Sequence, residues 1–345
     1  MRKLTITRPD DLHIHLRDGN MLKSVVNHTA SQYQRATVMP NLRPPILNLE
    51  DVLSYRDRIR DALPRGSEFE PIIPLYLTNS TTPQMVIDAY DSGISKAMKL
   101  YPAGATTNSD DGITDFTSIE SVIKVMIDRA IPLLIHGEVA DPSIDMFDRE
   151  RLFIEQILIP LRDKFPELKV VMEHISTKDA AQYVAESSET MAASITPHHI
   201  HLNRSALFSG GLQPHNYCLP VLKTEDDRVA VLEAATSGSP KFFLGTDSAP
   251  HLKTNKERAG GAAGLYNGYN SLALYAQAFE EVDALDKLEG FASFYGADFY
   301  GLERNSDTIT LIKETNSVPN SFKIAIEGEV VPLFAGREVS WRVDT

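Results

Sequence analysis

The chain has 345 residues, 42% of them hydrophobic and 23% charged, a composition ordinary for a globular protein with a sizeable core. Its net charge of −13 leaves no basic excess to neutralise phosphates, which argues against nucleic acid or anionic membrane as partners. Cys218 is the single cysteine, so no intrachain disulfide can form and a reducing compartment fits. The opening MRKLTITRPDD lacks the apolar core of a signal peptide, and no run approaches membrane-spanning length. A cytoplasmic location is expected.

In chain order, the first apolar run is Asp11–Arg17, read as a strand with His13, His15 and Arg17 on one face. Two imidazoles so placed offer nitrogen ligands to a metal, and the guanidinium beside them suits a carboxylate. Ala36–Pro40 follows and closes on Met39-Pro40-Asn41, a turn read as cis-capable or strained. Ile72–Leu77 and Lys96–Tyr101 come next, the latter carrying Lys99 near its end. Lys96 lies three residues earlier, with opposite strand parity, so it points away from any site Lys99 faces. Pro102–Gly112 (PAGATTNSDDG) is a small, polar loop long enough to move.

Thr117–Arg129 repeats Ile119, Val122, Ile123 and Met126 at helical spacing. Pro132–Gly137 ends in His136 and Lys169–Ile175 in His174. Ser176 is the expected N-cap of a helix over Thr177–Ser187. Ala192–Pro197 leads into His198, His199 and His201, a cluster assigned a structural role in the seventh loop. A helix over Glu225–Ser237 and a strand over Lys241–Thr246 follow, and Asp247 comes directly after. His251–Asn270 is rich in glycine and alanine. Beyond about Leu302, the alternating runs Thr308–Ile312 and Phe322–Ile326 are expected to add a few strands beside the main body.

Eight short apolar runs alternating with helical patterns imply βαβ units and a parallel sheet. The expected architecture is α/β, a single (β/α)₈ barrel over residues 1–345 with a short C-terminal extension. An open doubly wound sheet is the runner-up, but no glycine-rich fingerprint follows the first strand. In a barrel, chemistry sits at the C-terminal strand ends. His13, His15, Lys99, His136, His174 and Asp247 all fall there. Singly, each has a bland reading: a core histidine, a turn-capping aspartate, a lysine reaching solvent. Six of them on one rim point to a metal site.

The motifs HIHLRDG at 13–19, MPNLRPP at 39–45, KLYPAGATTN at 99–108, IHGE at 135–138, EHIS at 173–176, CLP at 218–220 and GTDSAPH at 245–251 run along nearly the whole chain. On them the sequence resembles the amidohydrolase superfamily, and within it most closely the monofunctional bacterial dihydroorotase family. The resemblance implies two Zn²⁺ ions bridged by a carboxylated Lys99, one also held by His13, His15 and Asp247, the other by His136 and His174. A bridging hydroxide would be the nucleophile and Asp247 the general base and then acid. It further implies a substrate carboxylate held by Arg17, Asn41 and His251, ring contacts from the backbone of Leu219 and Ala263, and a mobile loop whose Thr106 and Thr107 close over the substrate and hydrogen-bond it. The implied reaction interconverts dihydroorotate and N-carbamoyl-L-aspartate in a homodimeric enzyme of pyrimidine biosynthesis. A hydantoinase or dihydropyrimidinase shares the metals but not the demand for a carboxylate. A barrel that had lost its chemistry would lack some of these ligands, and here every one is present.

Overall fold

The computed structural model describes residues 2–344. Its centre is a ring of parallel strands: Asp10–Ile14, Arg35–Val38, Glu70–Ile72 with Leu75–Tyr76, Met98–Leu100, Leu133–His136, Val170–Glu173, Met191–Ile195 and Phe242–Leu244. The third strand is split. Its first half pairs with the second strand and its second half with the fourth. From there each strand pairs in parallel with the next through to the eighth. The Ile14–Ser248 bridge, with the Asp247 amide donating to His13 O, closes the ring. All eight expected runs hold strands, each ending one to three residues sooner than expected and four beginning one or two residues earlier, and the fold is a (β/α)₈ barrel.

Helices fill the crossovers where the apolar periodicity placed them. Thr117–Arg129 becomes a short 3₁₀ turn, Phe116–Ile119, leading into the helix Glu120–Asp128. Glu225–Thr236 starts with a capping box between Thr224 and Asp227. One cap differs from expectation. Thr177, not Ser176, caps the helix Lys178–Glu186, its Oγ1 accepting from the Ala180 amide at 3.1 Å. The buried Glu150 carboxylate accepts from the amides and hydroxyls of both residues, so it anchors this turn without deciding which of them caps.

Inside the barrel Leu12, Met39, Ala97, Leu134, Val171, Ala192 and Phe243 form one apolar layer, closed from below by Tyr300. This layer is the platform on which the polar end stands. Beside the barrel, Lys3–Thr7 pairs antiparallel with Thr308–Ser317, which pairs with Glu338–Val343. Phe322–Ile324 turns back onto Gly328–Val330, the strand ending early because Ala325 adopts a left-handed φ of 44°. Among the described residues no helix is long and apolar enough to cross a membrane.

Candidate metal and substrate site

Stepping two residues up three strands from the apolar layer reaches Lys99, His136 and Glu173, all fully or almost fully buried. On the first strand, a register irregularity between Asp11 and Ile14 accompanies the placing of His13 among them. A Cβ on Gly245 would lie 2.8 Å from Ser194 Cβ and 3.1 Å from His13 Cβ, so only glycine lets the eighth strand pass. Past the strand ends the backbone reverses: Arg17, His174 and Asp247 have φ of 60°, 45° and 44°. Left-handed conformations in non-glycine residues concentrate where function fixes them. The first strand stops at Ile14, so Arg17 reaches the site from this turn and not by strand alternation, correcting the sequence expectation.

The donors converge. His13 Nε2 and His15 Nε2 lie 3.4 and 3.3 Å from Asp247 Oδ1. His13 Nδ1 is 2.8 Å from Glu173 Oε1, and the other Glu173 oxygen contacts Lys99 Nζ. The His174 ring stacks edge-on with both His13 and His136, centroids 4.8 and 4.9 Å apart. His136 Nε2 sits 2.9 Å from Glu138 Oε2. Burial pushes His13 down, but the Glu173 and Asp247 carboxylates outweigh it and raise the imidazole to about 9. Burial takes His15 down to about 4 and holds His174 well below its ordinary value. It also lowers the Lys99 amine, in spite of Glu173. Asp247, which burial alone would raise, is held well below the carboxylate range by His13 and His15.

The residues that loops bring to this floor are less buried, apart from Asn41 at 2% exposed. Arg17 Nη2 is 3.0 Å from His251 Nε2, and Arg17 Nε donates to Pro250 O at 3.2 Å. Asn41 Nδ2 donates to Thr107 O at 2.9 Å, and Thr107 Oγ1 to Ala263 O at 3.4 Å, so the 102–112 loop lies across the mouth. The cavity beneath is lined by His13, His15, Arg17, Asn41, Tyr101, Thr106, Thr107, His136, His174, Leu219, Asp247, Ala249, Ala263 and Gly264, with a volume of about 20 Å³. Lys99 lies under this lining and His251 behind Arg17. The cis peptide bonds among the described residues are Arg43–Pro44 and Leu219–Pro220, so the turn before Asn41 is trans and not the cis turn considered from sequence.

Sequence reading missed Glu173, Glu138, Tyr101, Ala249 and Gly264. Glu173 was within reach, since it shares strand parity with the inward Val171. Tyr101 was too, sharing parity with Lys99; its ring lies 4.5 Å from Lys99 Nζ and its buried hydroxyl has no partner. His198, His199 and Cys218 form a separate donor group. Both nitrogens of His199 are engaged, however, by Thr196 Oγ1 at 2.9 Å and Pro220 O at 3.0 Å, and His201 Nε2 holds Leu274 O.

The main cluster fits a metal on its own terms. His13, His15 and Asp247 form one tight donor group, and His13, Glu173 and His174 another. Both nitrogens of His13 and Nδ1 of His174 are buried without an aligned hydrogen bond. Imidazole nitrogen and carboxylate oxygen are zinc donors, and two buried carboxylates draw positive charge into the floor.

The amidohydrolase family model matches residues 10–323, and the chain belongs to that family. Over 343 residues it is 55% identical to the dihydroorotase of Synechocystis sp., covering 99% of this chain and 100% of that one. The crystal structure of Saccharomyces cerevisiae dihydroorotase with 5-fluoroorotic acid superposes with a TM-score of 0.92 at 31% identity, covering 100% of this chain and 99% of that one. An L-hydantoinase of Arthrobacter aurescens shares the fold, with a TM-score of 0.80 at 14% identity over 99% of this chain and 83% of that one. The protein is thus an enzyme, a hydrolase of cyclic amides, similar over its full length to dihydroorotases.

Proposed function

We propose that the protein is a zinc-dependent dihydroorotase that interconverts (S)-dihydroorotate and N-carbamoyl-L-aspartate in pyrimidine biosynthesis. One observation carries this reading: the half-buried Arg17, with His251 3.0 Å from its guanidinium and Asn41 nearby, stands beside the donor floor. A forked cation there suits a substrate carboxylate. A ring without one would leave the guanidinium unpaired, which weighs against the hydantoinase reading. The ligand named for the yeast structure, 5-fluoroorotic acid, is itself a pyrimidine carboxylate.

His13, His15, Lys99 and Asp247 would hold one Zn²⁺, and Lys99, His136 and His174 the other. Bound there, the ions supply a hydroxide nucleophile at neutral pH and polarise the amide carbonyl. Burial lowers the Lys99 amine toward the neutral form, whose lone pair adds to carbon dioxide with loss of a proton, giving a carbamate. Carboxylation turns the Lys99–Glu173 attraction into repulsion, so cations are needed to hold the modified form. Asp247 accepts the nucleophile's proton and delivers it to the leaving ring nitrogen.

Arg17, Asn41 and His251 fix the carboxylate, and the backbone of Leu219 and Ala263 receives the ring. A cavity of about 20 Å³ holds about one water, so the loop bearing Thr106 and Thr107 must lift to admit substrate and return to cover it. Residues 1–345 act as a single unit, residues after about 302 being an extension of it, in a cytoplasmic homodimer. The test is an assay of zinc-replete protein with dihydroorotate and with dihydrouracil. Turnover of the first and very poor turnover of the second is expected; equal turnover would favour the hydantoinase reading.

A further inference from the structure

Lys256 ends the short helix Lys253–Lys256 and is 3% exposed. A buried ammonium is costly unless each of its three N–H groups is paired. Here three backbone carbonyls meet it: Gly264 O at 2.6 Å, Tyr217 O at 2.8 Å and Ala262 O at 2.8 Å. Its hydrogen-bond partners include no carboxylate, so this cation is not spent on an ion pair. The carbonyls belong to two segments that follow different barrel strands, one leading to Leu219 and the other flanking Ala263.

The second segment alternates. Ala262 and Gly264 turn both backbone groups to the Lys256 side, their amides donating to Asn255 O at 2.9 Å and Tyr217 O at 3.0 Å. Ala263 between them turns the other way, its carbonyl accepting from Thr107 at the mouth of the cavity. Gly264 also carries the effect further. At φ +141°, a Cβ there would lie 2.8 Å from His251 Cδ2, so the clamped backbone sets the seat of the histidine beside Arg17.

We propose that Lys256 is a positioning residue, stapling segments 217–219 and 262–264 at the spacing that lets their backbone groups receive the substrate ring. This rests on the reading above that the ring lies between Leu219 and Ala263. It assigns to a lysine whose hydrogen bonds all go to backbone carbonyls a share in substrate binding and none in proton transfer.

The clamp should also respond to pH. Burial lowers the Lys256 amine to about 8. The groups facing it do not compete in that range: burial raises Cys218 to about 12 and Tyr217 above its usual value, and keeps His198 and His251 neutral, at about 4 and 2. Arg17 stays cationic, and Glu257 on the adjoining turn is paired with His215 at 2.9 Å. Above about pH 8 the amine retains two N–H groups for three carbonyls, and binding weakens.

The experiment measures KM and kcat for dihydroorotate from pH 6 to 10 in zinc-replete wild type and Lys256→Met, with zinc content by elemental analysis. The expected result for the variant is KM raised about tenfold, equivalent to the loss of one or two hydrogen bonds. Its kcat should stay within about threefold of the wild-type value and its zinc content should not change. The wild-type KM should climb above about pH 8, and the variant should lack that climb. Should Lys256→Met fail to fold, Lys256→Gln is measured in the same way. Wild-type turnover with an unchanged KM and pH profile in the variant, or a fall in zinc and kcat with KM unchanged, overturns the role of Lys256 alone. Absence of any dihydroorotate turnover by the wild type overturns the substrate reading and this proposal with it.

Discussion

The two halves of the candidate site are built differently. The floor, with His13, Lys99, His136, His174 and Asp247, is at most 6% exposed and rises from the barrel strands and the turns at their ends. Strand alternation above a packed apolar layer sets Lys99 and His136, while a register irregularity accompanies His13 and left-handed turns place His174 and Asp247. The wall, with Arg17, Thr106, Thr107, Leu219, His251 and Ala263, is partly exposed and sits on loops held by single hydrogen bonds and one lysine clamp. A metal site needs fixed geometry, and strands supply it; a substrate site must open, and loops permit it. Substitutions in the floor should therefore abolish chemistry, while those in the wall should change binding.

Lys99→Ala removes the proposed bridge and should abolish nearly all activity, with partial rescue by short carboxylic acids and zinc loss seen by elemental analysis. Asp247→Asn should keep at least one zinc, since an amide oxygen still ligates, yet lose turnover by about 10²- to 10⁴-fold. Near-normal kcat in that variant would assign the proton to another group.

In the wall, Arg17→Met should raise KM for dihydroorotate steeply, by about 2–5 kcal/mol in binding, with zinc content unchanged. An unaltered KM would remove Arg17 from the carboxylate. Thr107→Val loses only the 3.4 Å contact to Ala263 O, so its KM should move by about two- to tenfold. A large fall in its kcat would show that the loop does more than cover the site.

The barrel was legible because strands buried on both faces read as short continuous apolar runs, and each donor closed such a run. What the sequence could not show depends on distant partners. Lys3–Thr7 and Glu338–Val343 are strands because Thr308–Ser317 lies between them, a pairing across nearly the whole chain. The turn at Ser176 and Thr177 is anchored by Glu150, 26 residues from Ser176, whose carboxylate accepts from both residues. Glu173 shares the parity of the inward Val171, and only its contacts with His13 and Lys99 on other strands show its place in the floor. Lys256 carried no signal, since its partners are backbone carbonyls that no side-chain motif reveals.

The central expectation is that the buried donors at the strand ends hold the zinc on which turnover depends. It is tested most directly by stripping the protein with a chelator, adding zinc back stepwise, and reading dihydroorotate turnover against zinc bound per chain. Verified metal-free protein should give no turnover, and turnover should reach its maximum near two zinc ions per chain. Full turnover in metal-free protein would contradict it.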